Sequence, residues 1–302
     1  MRIVEFRAPP PLAPGSIVAV VAPASPFNRD ELFPGLAWLR TRYRLRLSSR
    51  ILARDGYLAG DDVGRAAELA RSMTDPDVGA ILCARGGYGA MRLLDALPWN
   101  AFATRPKWIV GFSDITALHL EAASRGICSL HAPNVTGLGR SITAFERLAL
   151  IDALEGRSSP AWSGLELLHA GKHAPSVSAK GPVVGGNLAL VVAMAAAGRF
   201  SVPEGAILVL EDVTERPYRI DRMLTSLRLG KHLARASAIV FGGFTGCEPG
   251  ADGVTAIEVL RERTADLALP VLAGAPFGHG APNQAFALGA AAIIDGTTLR
   301  FL

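Results

Sequence analysis

Trp108-Ile109-Val110-Gly111-Phe112-Ser113-Asp114-Ile115-Thr116 decides the fold. Its first five residues are apolar with no alternation, the pattern of a strand covered on both faces. From Ile115 to Arg125 the spacing turns helical. Upstream the same change of period recurs. The run Ser16–Pro23 reads as a buried parallel strand and Glu31–Arg40 as a helix. Tyr43–Leu47 alternates, as a strand with one wet face does, and Asp61–Met73 is helical. Val78–Cys83 is a further buried strand, and Gly89–Leu97 a helix. Strands that alternate with helices build a parallel α/β sheet.

Downstream, the stretch from Ser141 to Ser178 is weakly periodic and reads as a linker with one helix, Ala144–Leu154. Beyond it come strands at Ala206–Leu210, Ala238–Phe241, Val271-Leu272 and most of Ala285–Asp295, with helices at Ile220–Leu229 and Gly253–Thr264. These form a second α/β unit. The apolar stretch Val183–Gly198, interrupted by Gly185, Gly186 and Asn187, reads as a buried helix. It is shorter than the ~20 apolar residues of a membrane span. The expected organisation is an N-terminal domain over 1–140, a linker over 141–178 and a C-terminal domain over 179–302.

Of the 302 residues 50% are hydrophobic and 19% charged, which excludes a disordered chain and a disulfide-stapled mini-protein. A net charge of +4 is too mild to imply a nucleic-acid partner. The arginines at 40, 42, 44, 46, 50 and 54 read as a solvated face, since no aromatics suited to base stacking interleave with them. Met1–Gly15 has no apolar core of a secretory signal. Cys83, Cys128 and Cys247 are scattered, with no metal-ligand spacing, so neither a zinc site nor a disulfide framework is expected. The reading is a cytoplasmic protein with reduced thiols, with no metal, cofactor or membrane partner.

Ligand sites in open α/β sheets lie at the carboxyl ends of strands. Three such ends carry chemistry. Ser113 stands where a strand turns into a helix, a place that exposes the hydroxyl and aims the next N–H, that of Asp114, at a bound carbonyl oxygen. From local pattern alone the favoured reading is that it is only a helix cap. Ala84-Arg85-Gly86-Gly87-Tyr88-Gly89 lets backbone N–H groups approach a ligand. It fits neither phosphate-loop pattern, and an oxyanion-binding role suits it if the nucleophile is on the next strand. Glu211, at the end of the strand from Ala206, either serves a site or pairs with Arg216, Arg219 or Arg222.

A serine nucleophile needs a base. His119 falls on the helix after Ser113 and is expected to point away. His131 starts a loop, His169 and His173 lie in the linker, and His232 follows a helix. His279, flanked by Gly278 and Gly280 and fixed by Pro282, is the best candidate. The chain order is then Ser113, Glu211, His279, with the carboxylate orienting the imidazole.

Together these residues resemble the LD-carboxypeptidases, serine peptidases that trim murein tetrapeptides, with the microcin-immunity peptidases as relatives. The markers are Val20-Val21-Ala22-Pro23-Ala24-Ser25, Gly56-Tyr57-Leu58-Ala59-Gly60, Arg85-Gly86-Gly87-Tyr88-Gly89, Gly111–Thr116, Leu210-Glu211-Asp212, Pro217-Tyr218-Arg219-Ile220-Asp221-Arg222 and Gly278-His279. The resemblance implies Ser113 as nucleophile, Glu211 as orienting acid and His279 as base. It places the oxyanion hole at backbone N–H groups of Gly87 and Asp114. It implies an N-terminal flavodoxin-like domain, a C-terminal swivelling-type domain, a cleft between them, a homodimer, and release of terminal D-alanine from a murein peptide. Arg85 and Arg222 are candidates for the substrate carboxylate, which a guanidinium grips bidentately. Three rivals stand beside this reading. They are an immunity-type peptidase needing aromatics to stack a base, of which the linker offers only Trp162; a non-catalytic small-ligand binder; and a thiol enzyme using Cys83 or Cys128.

Overall fold

The computed structural model describes residues 5–139, 142–171, 177–280 and 282–302. His173 and the ends of several sequence-read segments lie outside them. The chain divides into two compact units. One comprises Arg7–Ser158 and Gln284–Ala287; the other comprises Ser159–Asn283 and Leu288–Leu302 with residues 5–6. The division falls at 158/159, inside the stretch read as a linker.

The first unit runs β1 (Ile17–Val21), α1 (Arg29–Arg40), β2 (Arg44–Leu47), α2 (Asp62–Thr74), β3 (Val78–Cys83), α3 (Trp99–Thr104), β4 (Trp108–Gly111), α4 (Thr116–Ala123), β5 (Ser129–His131), α5 (Val135–Leu138) and α6 (Ala144–Glu155). The segment read as a helix over Gly89–Leu97 is a 3₁₀ helix, Ala90–Ala96. Neighbouring strands β2-β1-β3-β4-β5 pair in parallel. This is the flavodoxin-like order, in which the chain reverses direction across the sheet between β1 and β3. Val18, Ile81, Leu82, Ile109, Val110 and Leu130 are all buried, so both faces of the sheet are covered, as the unbroken apolar runs require. Among the arginines from 40 to 54, Arg42 pairs with Glu155, Arg46 with Asp75 and Arg50 with Asp61, so half of them are neutralised by an acidic neighbour.

From Ser159 onward the chain runs β6 (Ala161–Trp162), β7 (Glu166–His169), β8 (Ser178–Asn187), α7 (Leu188–Ala196), β9 (Ile207–Val213), α8 (Pro217–Leu229), β10 (Ala238–Thr245), α9 (Ala256–Thr264), β11 (Val271–Ala273), β12 (Phe286–Leu288), β13 (Ala291–Asp295) and β14 (Thr298–Phe301). All but β12 form an eight-stranded mixed sheet in the order β6-β14-β13-β8-β9-β10-β11-β7. The four strands from β8 to β11 are parallel, and β13 and β7 flank them in antiparallel pairing. Strand β12 is instead the sixth strand of the first sheet, beside β5.

Three expectations are corrected. Val183–Gly198 is not one helix: its first five residues finish β8 and only Leu188 onward is helical. The cause is local. A Cβ on Gly185 would lie 2.0 Å from the Val209 carbonyl oxygen, so only glycine lets β8 run this close to β9, and the Asn187 side chain then caps α7 by accepting from Leu190 N–H. The run Ala285–Asp295 is two strands broken at Gly289, which has φ +87°, and the two join different sheets. His131 does not begin a loop; it ends β5, fully buried and stacked on Phe286 with ring centroids 4.8 Å apart.

Candidate active site

In the first unit, β4 delivers the chain into a sharp turn. Ser113 has φ +65°, the left-handed region that L-residues with a Cβ avoid. Such a conformation costs about 1–3 kcal/mol and persists only where the surroundings impose it. Here they do. The Phe112 N–H donates to Asn134 Oδ1 at 3.3 Å, and the Gly111 carbonyl accepts from His119 Nε2 at 2.9 Å. Ser113 is not the helix cap. The cap positions are Phe112 for the 3₁₀ turn and Ile115 for α4, and neither contributes a side-chain cap.

His119 is therefore corrected: it does not point away, but reaches back beneath the turn. Its Nδ1 accepts from the Ser129 hydroxyl at 2.8 Å, which leaves Nε2–H to hold Gly111. Burial pushes its pKa down to about 4, so the neutral tautomer that this pattern needs is the stable form near neutral pH.

The glycine turn after β3 lies against the same serine. A Cβ on Gly86 would be 2.8 Å from Ser113 Cβ and 3.1 Å from its Oγ, so the close approach requires glycine. Gly87, with φ +105°, sits against Ser25. The buried Asp114 carboxylate accepts from Ala90 N–H at 2.8 Å and so ties the end of this turn to the Ser113 segment. Burial raises the Asp114 pKa, opposed by that hydrogen bond and by the charge of Arg65. Arg65, buried on α2, donates to Gly60 O at 3.2 Å, to Gly89 O at 3.0 Å and to Pro23 O, and pairs with Asp62. Neither Asn134 nor Arg65 was signalled by local sequence pattern; the Gly56–Gly60 and Val20–Ser25 markers were their nearest trace.

In the second unit, β9 carries Glu211 into the interior with no exposed surface. Its Oε2 accepts from His279 Nδ1 at 2.7 Å. The partner of the carboxylate is thus the imidazole and not an arginine. Arg219 pairs with Glu215, and Arg216 donates to the Pro249 carbonyl. A Cβ on Gly278 would stand 2.9 Å from Glu211 Oε2, and this glycine has φ +123°. Asn283 Oδ1 accepts from Gly278 N–H at 3.2 Å and fixes the loop's far side. Parallel pairing places Asn187 beside Glu211, and its Nδ2 donates to Glu211 Oε1 at 3.4 Å and to Asp212 Oδ1 at 3.0 Å. Burial lifts the Asp212 pKa to about 6. The Nδ1–H bond to a carboxylate leaves His279 Nε2 as the proton acceptor.

The remaining candidates are placed as follows. Arg85 is exposed and donates to Pro26 O at 2.7 Å; Arg222 is exposed, 5.7 Å from the Tyr218 ring centroid. Cys83 and Cys128 are buried; burial raises both thiols, Cys128 to about 12, so neither forms a thiolate near neutral pH. Trp162 is 2% exposed and stacks on Phe277 with centroids 5.5 Å apart, so it is core and not a platform for a base.

Family models described as the LD-carboxypeptidase N-terminal domain and the LD-carboxypeptidase C-terminal domain match residues 18–132 and 180–294. The murein tetrapeptide carboxypeptidase of Pseudomonas aeruginosa is 35% identical over 94% of this chain and 94% of its own. The crystal structure of muramoyltetrapeptide carboxypeptidase from Oxalobacter formigenes superposes with a TM-score of 0.81 at 26% identity, covering 95% of this chain and 98% of that one. The microcin C7 self-immunity protein MccF of Escherichia coli is 26% identical over 94% of this chain and 92% of its own. This chain belongs to the LD-carboxypeptidase family.

Proposed function

We propose that this chain is a serine-type LD-carboxypeptidase, with Ser113 as nucleophile, His279 as base and Glu211 as the acid that orients it. Its substrate is a murein tetrapeptide and its products are the tripeptide and free D-alanine. The observation that carries the reading is the 2.7 Å bond between His279 Nδ1 and a Glu211 carboxylate with no exposure to solvent. Burying a carboxylate is costly, and a structural role would be served by an arginine, several of which are near in sequence. Support also comes from the relatives named for this activity and from the strained Ser113 turn.

The steps follow. His279 Nε2 removes the Ser113 proton as Oγ attacks the scissile carbonyl. The N–H groups of Gly87 and Asp114 stabilise the oxyanion; one such donor is typically worth about 3 kcal/mol. The C–N bond breaks and the imidazolium returns its proton to the departing D-alanine amine. Water, deprotonated by His279, then releases the acyl group. Glu211 holds the productive tautomer and stabilises the imidazolium. Arg85 and Arg222, neither ion-paired among the described residues, are the proposed ligands of the terminal carboxylate.

Ser113→Ala should abolish D-alanine release from the tetrapeptide and labelling by a fluorophosphonate while leaving the melting curve unchanged. Undiminished release ends this reading. Loss of labelling also separates it from a non-catalytic binder. The immunity-type alternative gains nothing from Trp162, which is packed in the core. We further propose a cytoplasmic homodimer without nucleic-acid or membrane partners. The three free, buried cysteines suit a reducing compartment, and among the described residues no helix is long and apolar enough to cross a membrane. Light scattering during gel filtration tests the dimer.

A further inference from the structure

The markers Val20–Ser25 and Gly56–Gly60 have no part in the chemistry above, yet both converge on the glycine turn. In the first sheet the chain reverses between β1 and β3, and ligands bind at such a reversal, beyond the carboxyl ends of the strands. Ser25 follows β1 there, and Arg85–Gly89 follows β3.

We propose that Ser25 is a positioning residue that sets the Gly87 N–H as an oxyanion donor; this rests on the catalytic reading given above. Ser25 N–H donates to the Gly86 carbonyl at 3.2 Å, and Ser25 Oγ accepts from Tyr88 N–H at 3.0 Å. The two bonds bracket Gly87 and fix the peptide planes on either side of it. Packing adds a third restraint: a Cβ on Gly87 would lie 2.5 Å from Ser25 Oγ, so the turn is drawn in against this side chain. Gly87 has φ +105°, a conformation that the turn alone does not guarantee, because glycine has many alternatives. The clamp supplies the selection.

Ser25 is itself held. Ala59 N–H donates to the Ala24 carbonyl at 2.9 Å, and the buried Arg65 guanidinium joins the carbonyls of Pro23, Gly60 and Gly89. The loop after β1, the Gly56–Gly60 segment and the exit of the glycine turn are thereby one rigid piece. An oxyanion donor must be placed before charge develops, since reorganising it during the reaction forfeits most of its value. That need accounts for the two otherwise unassigned markers.

The test is Ser25→Ala in the full chain, assayed for D-alanine release from the tetrapeptide. The backbone bond to Gly86 survives and the bond from Tyr88 is lost. kcat is expected to fall about 30- to 100-fold, somewhat less than the roughly 10²- to 10³-fold cost of removing an oxyanion donor outright, with KM within threefold. Affinity for a peptidyl aldehyde, which forms a tetrahedral adduct with the serine, should fall in parallel with kcat/KM. The pH profile should keep its shape, because Glu211 and His279 are untouched. Ser25→Thr, which retains the hydroxyl, should restore most of kcat. If Ser25→Ala does not fold, Ser25→Cys, with a weaker acceptor of similar shape, should still lower kcat with KM unchanged. A kcat within threefold of wild type in the folded variant overturns the proposal, as does a loss confined to KM. Failure of the catalytic reading itself is distinct: turnover would then survive Ser113→Ala.

Discussion

Gly86→Ala isolates the geometry of the nucleophile from backbone effects. Gly86 is not among the glycines of positive φ, so alanine meets no conformational penalty there and even gains about 0.4–1 kcal/mol by restricting the unfolded chain. What it meets is Ser113. The new Cβ would stand 2.8 Å from Ser113 Cβ, 3.1 Å from Ser113 Oγ and 3.1 Å from the Phe112 carbonyl oxygen. Unstrained carbon–carbon contact lies near 3.5 Å, so the serine or the turn must yield by about 0.7 Å. Ser113 has little freedom to yield at no cost, because Phe112 N–H and Gly111 C=O are both held. Overpacking of this kind costs about 1–3 kcal/mol, partly offset by the gain of about 0.4–1 kcal/mol in the unfolded state. Misplacing a reacting group by about 1 Å costs on the order of 100-fold in rate. The expected result is a kcat/KM about 30- to 100-fold lower, with a melting temperature within a few degrees of wild type. D-alanine release in a coupled assay and a thermal melt measure the two. Gly87→Ala is the contrast, since it adds positive-φ strain and should lower both. Wild-type kcat/KM in Gly86→Ala would show that the apposition of the turn and Ser113 is irrelevant to catalysis.

Other perturbations probe the second unit and the support under the turn. Glu211→Gln should leave the fold intact and reduce kcat about 10³- to 10⁴-fold, because an amide can hold the wrong imidazole tautomer; a loss below tenfold would remove the carboxylate from the mechanism. Gly278→Ala drives a Cβ to 2.9 Å from Glu211 Oε2 at φ +123°, so both kcat and stability should fall, and a pH–rate profile should show a displaced acid limb. His119 titrates near 4 when folded and 6.5 when unfolded, so between those values only the unfolded chain takes the proton. Stability then declines as pH falls through this window, by up to about 3 kcal/mol from this group. Asp212, raised to about 6, has the opposite slope in the same range, so the comparison to make is urea unfolding of wild type against His119→Gln. An identical pH dependence in the two would refute the role given to His119.

The residues proposed to act were easier to read than those that hold them, and the reason is physical. Ser113 sits where two periods meet, an unbroken apolar strand and a helix, and that junction is written in adjacent residues. Glu211 is a charge at the end of an apolar strand, an expense the sequence displays openly. His279 is marked by glycines, one of which the structure shows pressed against the carboxylate. The supporting residues have no such signature. Arg65 looks like any cation on an amphipathic helix, yet it is buried with its guanidinium on carbonyls 5, 24 and 42 residues away. His119 lies at a helical position that reads as core or surface equally well, and its task depends on Ser129, on a later strand. The same limit explains the mistaken helix over Val183–Asn187. Two glycines and two valines carry a weak local preference, and what makes them a strand is the room they leave for Val209 on a neighbour that the chain reaches only later. Chemistry restricts which residue type can perform a step, so a reactive group is legible alone. Support can come from any donor that arrives at the right carbonyl, so it becomes legible only when the fold shows which carbonyl that is.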